Sequence, residues 1–449
     1  MNFENIKPGK PLKIAVVGTG IAGMSAAWLL SMKHNVTVFE QEGRLGGHSH
    51  TVDVSKNLGH QPVDTGFIVY NEVNYPNLVA LFDYLGVETQ PSDMTFSVSL
   101  EQGIFEFGSK NVSAVFGQRS NIIKPKFWGM LSDVKQFFQD ANEFLEKETL
   151  DYKLTLGQFL KLKRYSEKFV EQFILPMGAA IWSTKPEEMR EQPAYTFMRF
   201  FSSHGLLRFK NQIPWRTVSG GSQSYVEKLT AEYKDKVQLS KGIKLVKRKS
   251  NLVEITDCNG EMETFDHVVI ATHGDQALNM LDDPSLLESD ILGSFRYTDN
   301  RVLLHCDPAL MPKRKNIWSS WNFLGTKQNS VSVTYWMNLL QNIDNDNPLF
   351  VSVNPIIEPD PGLLHQSFDY QHPFFDIKAW TAQRRLWDLQ GTNRTWYCGS
   401  YFGYGFHEDG LQSGLAVAEE LGGIRRPWKV LNESGRIHRA QKNVRVVEE

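Results

Sequence analysis

Residues Lys13–Gln41 read KIAVVGTGIAGMSAAWLLSMKHNVTVFEQ. Ile14 to Val17 is a short apolar, β-branched run, the pattern of a strand buried in a parallel sheet. It leads directly into Gly18-Thr-Gly20-Ile-Ala-Gly23. An Ala-rich helical pattern from Ala22 to Met32 follows, and Asn35 to Phe39 reads as a second strand. The unit is βαβ with GxGxxG at its first turn. Gly18 permits the tight turn, Gly20 keeps a side chain away from a pyrophosphate, and Gly23 lets helix and strand pack closely. Ile21 and Ala22 open the helix whose free N–H groups meet the phosphate charge. Glu40, followed by Gln41, ends the second strand. A carboxylate there accepts from a ribose diol and repels a 2′-phosphate, so NAD or FAD is expected rather than NADP.

The rest of the chain bounds the reading. At 449 residues, two intimately connected domains are expected, and 41% hydrophobic residues suffice for a core. A net charge of −3 gives no sign of nucleic-acid binding. Cys258, Cys306 and Cys398 are far apart and odd in number, with no CxxC pair or zinc spacing. No metal site is expected, and free, mostly buried thiols in a reducing compartment fit best. MNFENIKPGKPLK has no apolar core of a secretory signal, and no run of about 18 apolar residues occurs. The expected location is the cytoplasm. The 11 Trp and 28 Phe suit either a large apolar pocket or a large core.

Past Glu40 the chain reads QEGRLGGHSHTVD. A second cationic, glycine-rich turn has no use in an ordinary NAD dehydrogenase. It suits a longer cofactor, with Arg44 neutralising or positioning the diphosphate and Gly46 and Gly47 keeping side chains away from it. Glu40-x-x-x-Arg44-x-Gly46-Gly47 after GxGxxG resembles the amine-oxidase and phytoene-desaturase superfamily of FAD enzymes. That resemblance implies an α/β chain: a discontinuous Rossmann-like FAD domain with an interleaved α+β substrate domain. VDTGFIVYN, Val63–Asn71, resembles the stretch beside the flavin in that superfamily. Asp64, Thr65 and Gly66 are then a turn, and Phe67 and Tyr70 point to the ring system or its access route. VSGGSQSYVEKL and HVVIATHGDQAL resemble the returns of the chain to the cofactor domain. The expected FAD domain is 12–75, 215–280 and 390–425. The substrate domain is 76–214 and 281–389, and 426–449 is a C-terminal tail.

TWYCGSYFGYGFHEDGLQSGLAVAEELGG, from Thr395, reads as strand, turn and helix. In flavoproteins of this shape such a unit closes over the isoalloxazine. A helix from about Gly410 to Leu421 aims its N-terminus at the flavin N1 and C2 carbonyl, where negative charge develops on reduction. Gly410 lets the backbone come close, Leu411 follows, Ser413 and Gly414 fit one turn further in, and Gly422-Gly423 ends the helix. Many relatives carry an acid after the glycine corresponding to Gly399. This chain has Ser400 there, which leaves Asp409 or Glu408 to take part of the role.

DTGFIVYN, WSSWNF at Trp318–Phe323 and GYGFHEDG together resemble one subgroup of the superfamily, over about Leu12 to Trp428. Its members are associated with cyclopropane-fatty-acyl synthases and with methylated and furan fatty-acid formation. The resemblance implies a fatty-acyl or phospholipid substrate, a cyclopropane-fatty-acyl-type methyltransferase as functional partner, and contact with the inner face of the membrane. Trp182, Trp318, Trp321, Tyr335 and Trp336 are candidates to line an apolar tunnel or to fill a core. The basic stretches LKLKRYSEKF, KRKN and IRRPWK suit either lipid headgroups or a solvated face.

A flavin oxidant takes a hydride at N5 while a base takes the neighbouring proton. An unactivated alkyl chain resists this step; an allylic, methyl-branched or strained carbon makes it more reachable. The acid–base candidates are His407, Glu408, Tyr404 and Tyr70. His407 comes first because imidazole titrates near neutrality, against a structural hydrogen bond as its other reading. His305 and His48 are weaker. Three functions remain open: a desaturase or dehydrogenase of modified acyl chains, an amine oxidase with an aromatic cage from Tyr404 and Trp318, and a non-catalytic flavin-dependent partner of a lipid-modifying enzyme.

Overall fold

The computed structural model describes residues 10–54, 60–146, 151–182, 184–208, 213–326 and 331–439. The opening residues 1–9, Ser183 and positions 440–449 of the expected tail lie outside them.

The strands Lys13–Val17 and Asn35–Phe39 pair in parallel, and Lys13–Val17 pairs on its other side with His267–Ile270. Val237–Gln238 and Thr395–Tyr397 complete a five-stranded sheet, and each pairing in it is parallel. Its strands come from three separate stretches of chain. Ile14, Ala15 and Val16 are fully buried, as a parallel sheet covered on both faces requires. The helix Ile21–Ser31 is apolar almost all round and buried from Ile21 to Leu30. It packs against the late helix His407–Gly422. The contact is close because Gly414 has no side chain: a Cβ there would run into the Ala22 carbonyl and the Ser25 hydroxyl.

That late helix begins at His407, three residues before the expected start. Its first turn is closed by Asp409, whose carboxylate accepts from the Phe406 N–H at 2.8 Å. It ends at Gly423 in the left-handed region (φ +58°).

A seven-stranded mixed sheet forms the second body. Its order is Leu364–Phe374, Arg296–His305, Phe350–Val353, Val331–Trp336, Trp321–Gly325, Phe96–Leu100 and Phe105–Gly108. The one parallel pairing in it joins Trp321–Gly325 to Phe96–Leu100. The amphipathic helix Pro125–Leu145 buries Phe127, Met130, Phe137 and Phe144 on one face. The chain passes between the two bodies at a small antiparallel sheet of Tyr70–Asn71, Trp215–Val218 and Thr89–Ser92.

Residues 426–439 of the expected tail pack onto the fold. Arg426 is buried against Glu419 (2.7 Å) and donates to Asn77 Oδ1 at 2.8 Å. Trp428 stacks on Trp28 with centroids 5.7 Å apart. The basic stretch IRRPWK is therefore spent largely on internal pairing. Of the three thiols only Cys398 is buried; Cys258 is exposed and Cys306 half-buried.

Candidate cofactor and substrate site

One cavity of about 590 Å³ runs along the C-terminal ends of the parallel strands and into the second body. Gly18, Gly20, Ile21, Ala22, Glu40, Gln41, Arg44, Gly46 and Gly47 line it. So do Thr65, Gly66, Phe67, Gly399, Ser400, Tyr404 and His407. These positions are far apart in sequence, and the three-part sheet brings them to one trough.

The local geometry of the first turn is that of a phosphate cradle. A Cβ at Gly20 would meet nothing within 4 Å, because the position opens on the cavity, whereas a Cβ at Gly23 would run into the Gly18 carbonyl. The first N–H groups of the helix Ile21–Ser31 have no intrahelical acceptor. Glu40 accepts from the Thr19 N–H (2.9 Å), the Thr19 hydroxyl (2.5 Å) and the Glu42 N–H (2.9 Å). A carboxylate has about four acceptor sites, so capacity remains for a ribose hydroxyl. Arg44 donates to the Gly47 carbonyl at 2.7 Å and pairs with Glu42 at 2.8 Å, so part of its guanidinium shapes the second glycine turn. His48, next to Gly47, is buried in the cavity wall, and its Nε2 finds no partner among the described residues. An open glycine, a helix N-terminus and an orphaned imidazole nitrogen fit a dinucleotide with a diphosphate.

Several expected residues stand elsewhere. Asp64 is buried away from the cavity. It accepts from the Ser222 N–H and hydroxyl, the Thr51 hydroxyl and the Gln341 amide, and so ties three chain segments together. Tyr70 is buried in the core against Tyr75 and Phe82. Glu408 points along its helix towards a neighbour: it accepts from the backbone N–H of Asn77 (3.1 Å) and Leu78 (3.0 Å), the Asn77 amide (2.8 Å) and Gln412 (2.9 Å). Asp409 is occupied by its own helix cap and by Arg436 at 3.2 Å. Neither acid replaces the one missing after Gly399. Gly410 abuts Ile21 and Leu411 is in the core, while Ser413 Oγ accepts from the Gly399 N–H at 2.9 Å and so fixes the turn. His305 lies in the second sheet, 2.8 Å from Ser352 Oγ.

Of the four acid–base candidates, Tyr404 and His407 reach the wall. His407 stacks on Phe67 with centroids 3.8 Å apart, and its Nε2 is 2.6 Å from the Tyr225 hydroxyl and 3.2 Å from Ser49 Oγ. Burial pushes its pKa down to about 3, with His48 adding to the effect. It is a neutral, doubly held imidazole and does not titrate near pH 7, contrary to the expectation that ranked it first. Burial raises the Tyr404 phenol to about 12, so it is a proton donor at neutral pH.

Part of the cavity wall is an aromatic chamber. Phe200, Trp182, Phe406, His204 and Trp215 touch in sequence: Phe200 lies 4.9 Å from Trp182, 4.7 Å from Phe406 and 3.8 Å from His204, and Trp215 lies 5.8 Å from His204. Tyr75, Met94, Ile181, Leu206, Trp321 and Tyr335 complete it. Trp318 and Trp336, expected candidates, are not in the wall. The Trp318 indole donates to the Pro312 carbonyl, and its ring meets Trp336 edge-on. His204 escaped the sequence reading, because nothing in RFFSSHG marks it; the fold alone turns it into the chamber. Its Nδ1 lies 2.9 Å from the Phe200 carbonyl, which can only accept, so Nδ1 carries the proton and Nε2 the lone pair. That Nε2 has no partner among the described residues.

This architecture defines an amine-oxidase-like α/β flavoprotein. Residues 21–349 match the flavin containing amine oxidoreductases, and the chain belongs to that family. It is an FAD-dependent oxidoreductase. Solved structures agree on the fold. Cyclohexylamine oxidase from Brevibacterium oxydans IH-35A is 15% identical with a TM-score of 0.65, over 92% of this chain and 100% of that one. Putrescine oxidase bound to putrescine is 14% identical with a TM-score of 0.64, over 92% and 99%. A CLA-producing fatty acid isomerase from P. acnes is 17% identical with a TM-score of 0.62, over 93% and 99%. No curated protein sequence matches this chain.

Proposed function

We propose that the chain desaturates a modified fatty-acyl chain, methylated or cyclopropane-bearing, removing a hydride and a proton from adjacent carbons. Bound FAD supplies the two-electron acceptor. The observation that carries this reading is the composition of the chamber. Its wall is aliphatic and aromatic, and none of the residues named for it carries a formal charge. The charged residues of the cavity are Glu40, Glu42 and Arg44 at the cofactor turns and Asp299 and Asp369 on exposed strand positions. Such a chamber favours an apolar chain and makes an ammonium costly. The fatty acid isomerase among the structural neighbours is consistent with an acyl substrate on this fold. His204 Nε2 offers an unpartnered lone pair, but burial, with Arg436 adding to it, lowers its pKa to about 3, so like His407 it is a neutral, weakly basic imidazole that accepts a hydrogen bond. In a reaction sequence, the substrate comes from an enzyme that methylates or cyclopropanates acyl chains.

Amine oxidation is the second reading, favoured by the family and by the aromatic wall. Against it, Trp318 is absent from the cavity wall and so from the expected cage.

An anaerobic absorbance titration of the FAD-loaded protein separates the two. Phospholipids rich in cyclopropane or methyl-branched chains are expected to bleach the flavin band near about 450 nm, and unmodified phospholipids are not. Bleaching by a panel of amines alone would move the protein to the second reading.

A further inference from the structure

We infer that the face formed by residues 104–128 and 313–316 is a docking surface for anionic phospholipid bilayers. Most large hydrophobic side chains of the described residues are buried, and fifteen are exposed. Five of those fifteen fall between Ile104 and Trp128: Ile104 (71%), Val112 (74%), Ile122 (45%), Ile123 (83%) and Trp128 (50%). Isolated exposed hydrophobics are ordinary, but a third of them within one short stretch is a patch.

Contacts hold the stretch together. The Trp128 indole donates to the Ile122 carbonyl at 2.8 Å, and its ring lies 5.3 Å from Phe116. Gln118 donates to the Ile104 carbonyl at 2.7 Å. Arg314 reaches across to the Gly103 carbonyl at 2.8 Å and to Glu106 at 2.6 Å. A cluster of Phe105, Phe107, Phe116 and Phe127 supports the patch from beneath.

The charge around it is basic. Lys110, Arg119, Lys124 and Lys126 come from the same stretch, and Lys313 and Lys315 from the neighbouring loop. Burial lowers the pKa of Lys168, and the nearby Lys124 and Lys126 add to the effect. Glu106, the one acid within residues 104–128, is buried and paired with Arg314. On a chain whose net charge is −3, this local cationic excess is set apart from the whole. Aliphatic and indole side chains that enter the acyl boundary, ringed by lysines that meet phosphates, are the chemistry of interfacial binding. No helix among the described residues is long and apolar enough to cross a membrane, so contact at this face is peripheral. The patch lies at the outer edge strand, Phe105–Gly108, of the sheet whose strand Trp321–Gly325 walls the chamber.

The inference rests on the lipid reading of the site but is tested without turnover. The FAD-loaded protein is floated with vesicles of unmodified phosphatidylcholine, and with vesicles containing about one third phosphatidylglycerol. Binding is expected to the anionic vesicles and to weaken as salt rises. Lys124→Glu with Lys126→Glu, and Ile123→Ser with Trp128→Ser, should each weaken it by at least about tenfold. Leu286→Ser, at an exposed position outside the patch, should leave it unchanged. Flavin content reports folding in each variant. Because all five substitutions are at exposed or half-buried positions, single Lys124→Glu and Ile123→Ser variants stand in for any double variant that fails to fold. No binding to either vesicle, or equal binding by the patch variants, overturns the docking surface. If lipid dispersed in detergent still bleaches the flavin, the proposed function survives that failure.

Discussion

The second and third glycines of the first turn make separable predictions because they face opposite ways. Gly20 opens on the cavity, whereas a Cβ at Gly23 would run into the Gly18 carbonyl and come within 3.0 Å of Ala271 Cβ. Gly20→Val should leave the fold standing and weaken FAD binding by at least about a hundredfold, some 2.7 kcal/mol. Gly23→Val should destabilise the chain by about 1–3 kcal/mol or more through overpacking. Flavin content, with thermal melts of the cofactor-free proteins, distinguishes them; full flavin occupancy in Gly20→Val would refute the cradle. His407 shows the limit of residue-type reasoning. Its position in the loop was visible, but its protonation state depends on the Phe67 ring, Tyr225 and Ser49, which arrive from two other segments.

At the scale of elements, the late helix does more than face the cofactor trough. Through Glu408 it caps the helix Pro76–Leu85, whose own N-cap residue, Tyr75, supplies no side-chain bond. The carboxylate thus satisfies two of that helix's free N–H groups from outside, while burial raises its pKa. Arg426 and Arg436 then hold the C-terminal segment over the joint, through Glu419, Asn77 and Asp409. Glu408→Ala should leave buried donors unpaired and cost about 3 kcal/mol. Urea unfolding measures it. A change below about 0.5 kcal/mol would show that water replaces the carboxylate, which a surface position would allow but this one should not.

Across the whole molecule, buried histidines dominate the response to acid. Burial lowers His48, His273 and His305 to about 4, and His204, His372 and His407 to about 3. Between these values and the ordinary 6.5, the unfolded chain binds protons that the folded chain refuses. Stability therefore rises with pH through that window. It is fully present above about pH 6.5 and is lost as pH falls, by about 1.4 kcal/mol per pH unit for each such group. The cofactor-free chain should unfold cooperatively above pH 4. Thermal melts between pH 4.5 and 8 test it, and a flat melting temperature would contradict the burial of these imidazoles.

The first βαβ unit was legible because every determinant is local: strand pattern, glycine spacing, helix and terminal acid lie within 29 residues, Lys13–Gln41. The strand Asn35–Phe39 falls where the pattern places it, and the helix ends within one residue of the reading. The second glycine turn and the loop at Gly399–Gly410 could be connected to it through resemblance. The facing of individual side chains could not. Asp64, Tyr70, Glu408 and Asp409 stand in the cofactor segments yet turn away, because each segment must also bind its neighbours, and the partners that claim these side chains lie up to 331 residues distant. The chamber is the same case in reverse. Phe200, His204 and Trp215 carry no motif, and they meet Phe406 only when the second body closes on the parallel sheet. Motifs with local geometry are set by the chain's own steric rules and hydrogen bonds; the occupants of a buried site are chosen by long-range packing, which no single stretch encodes.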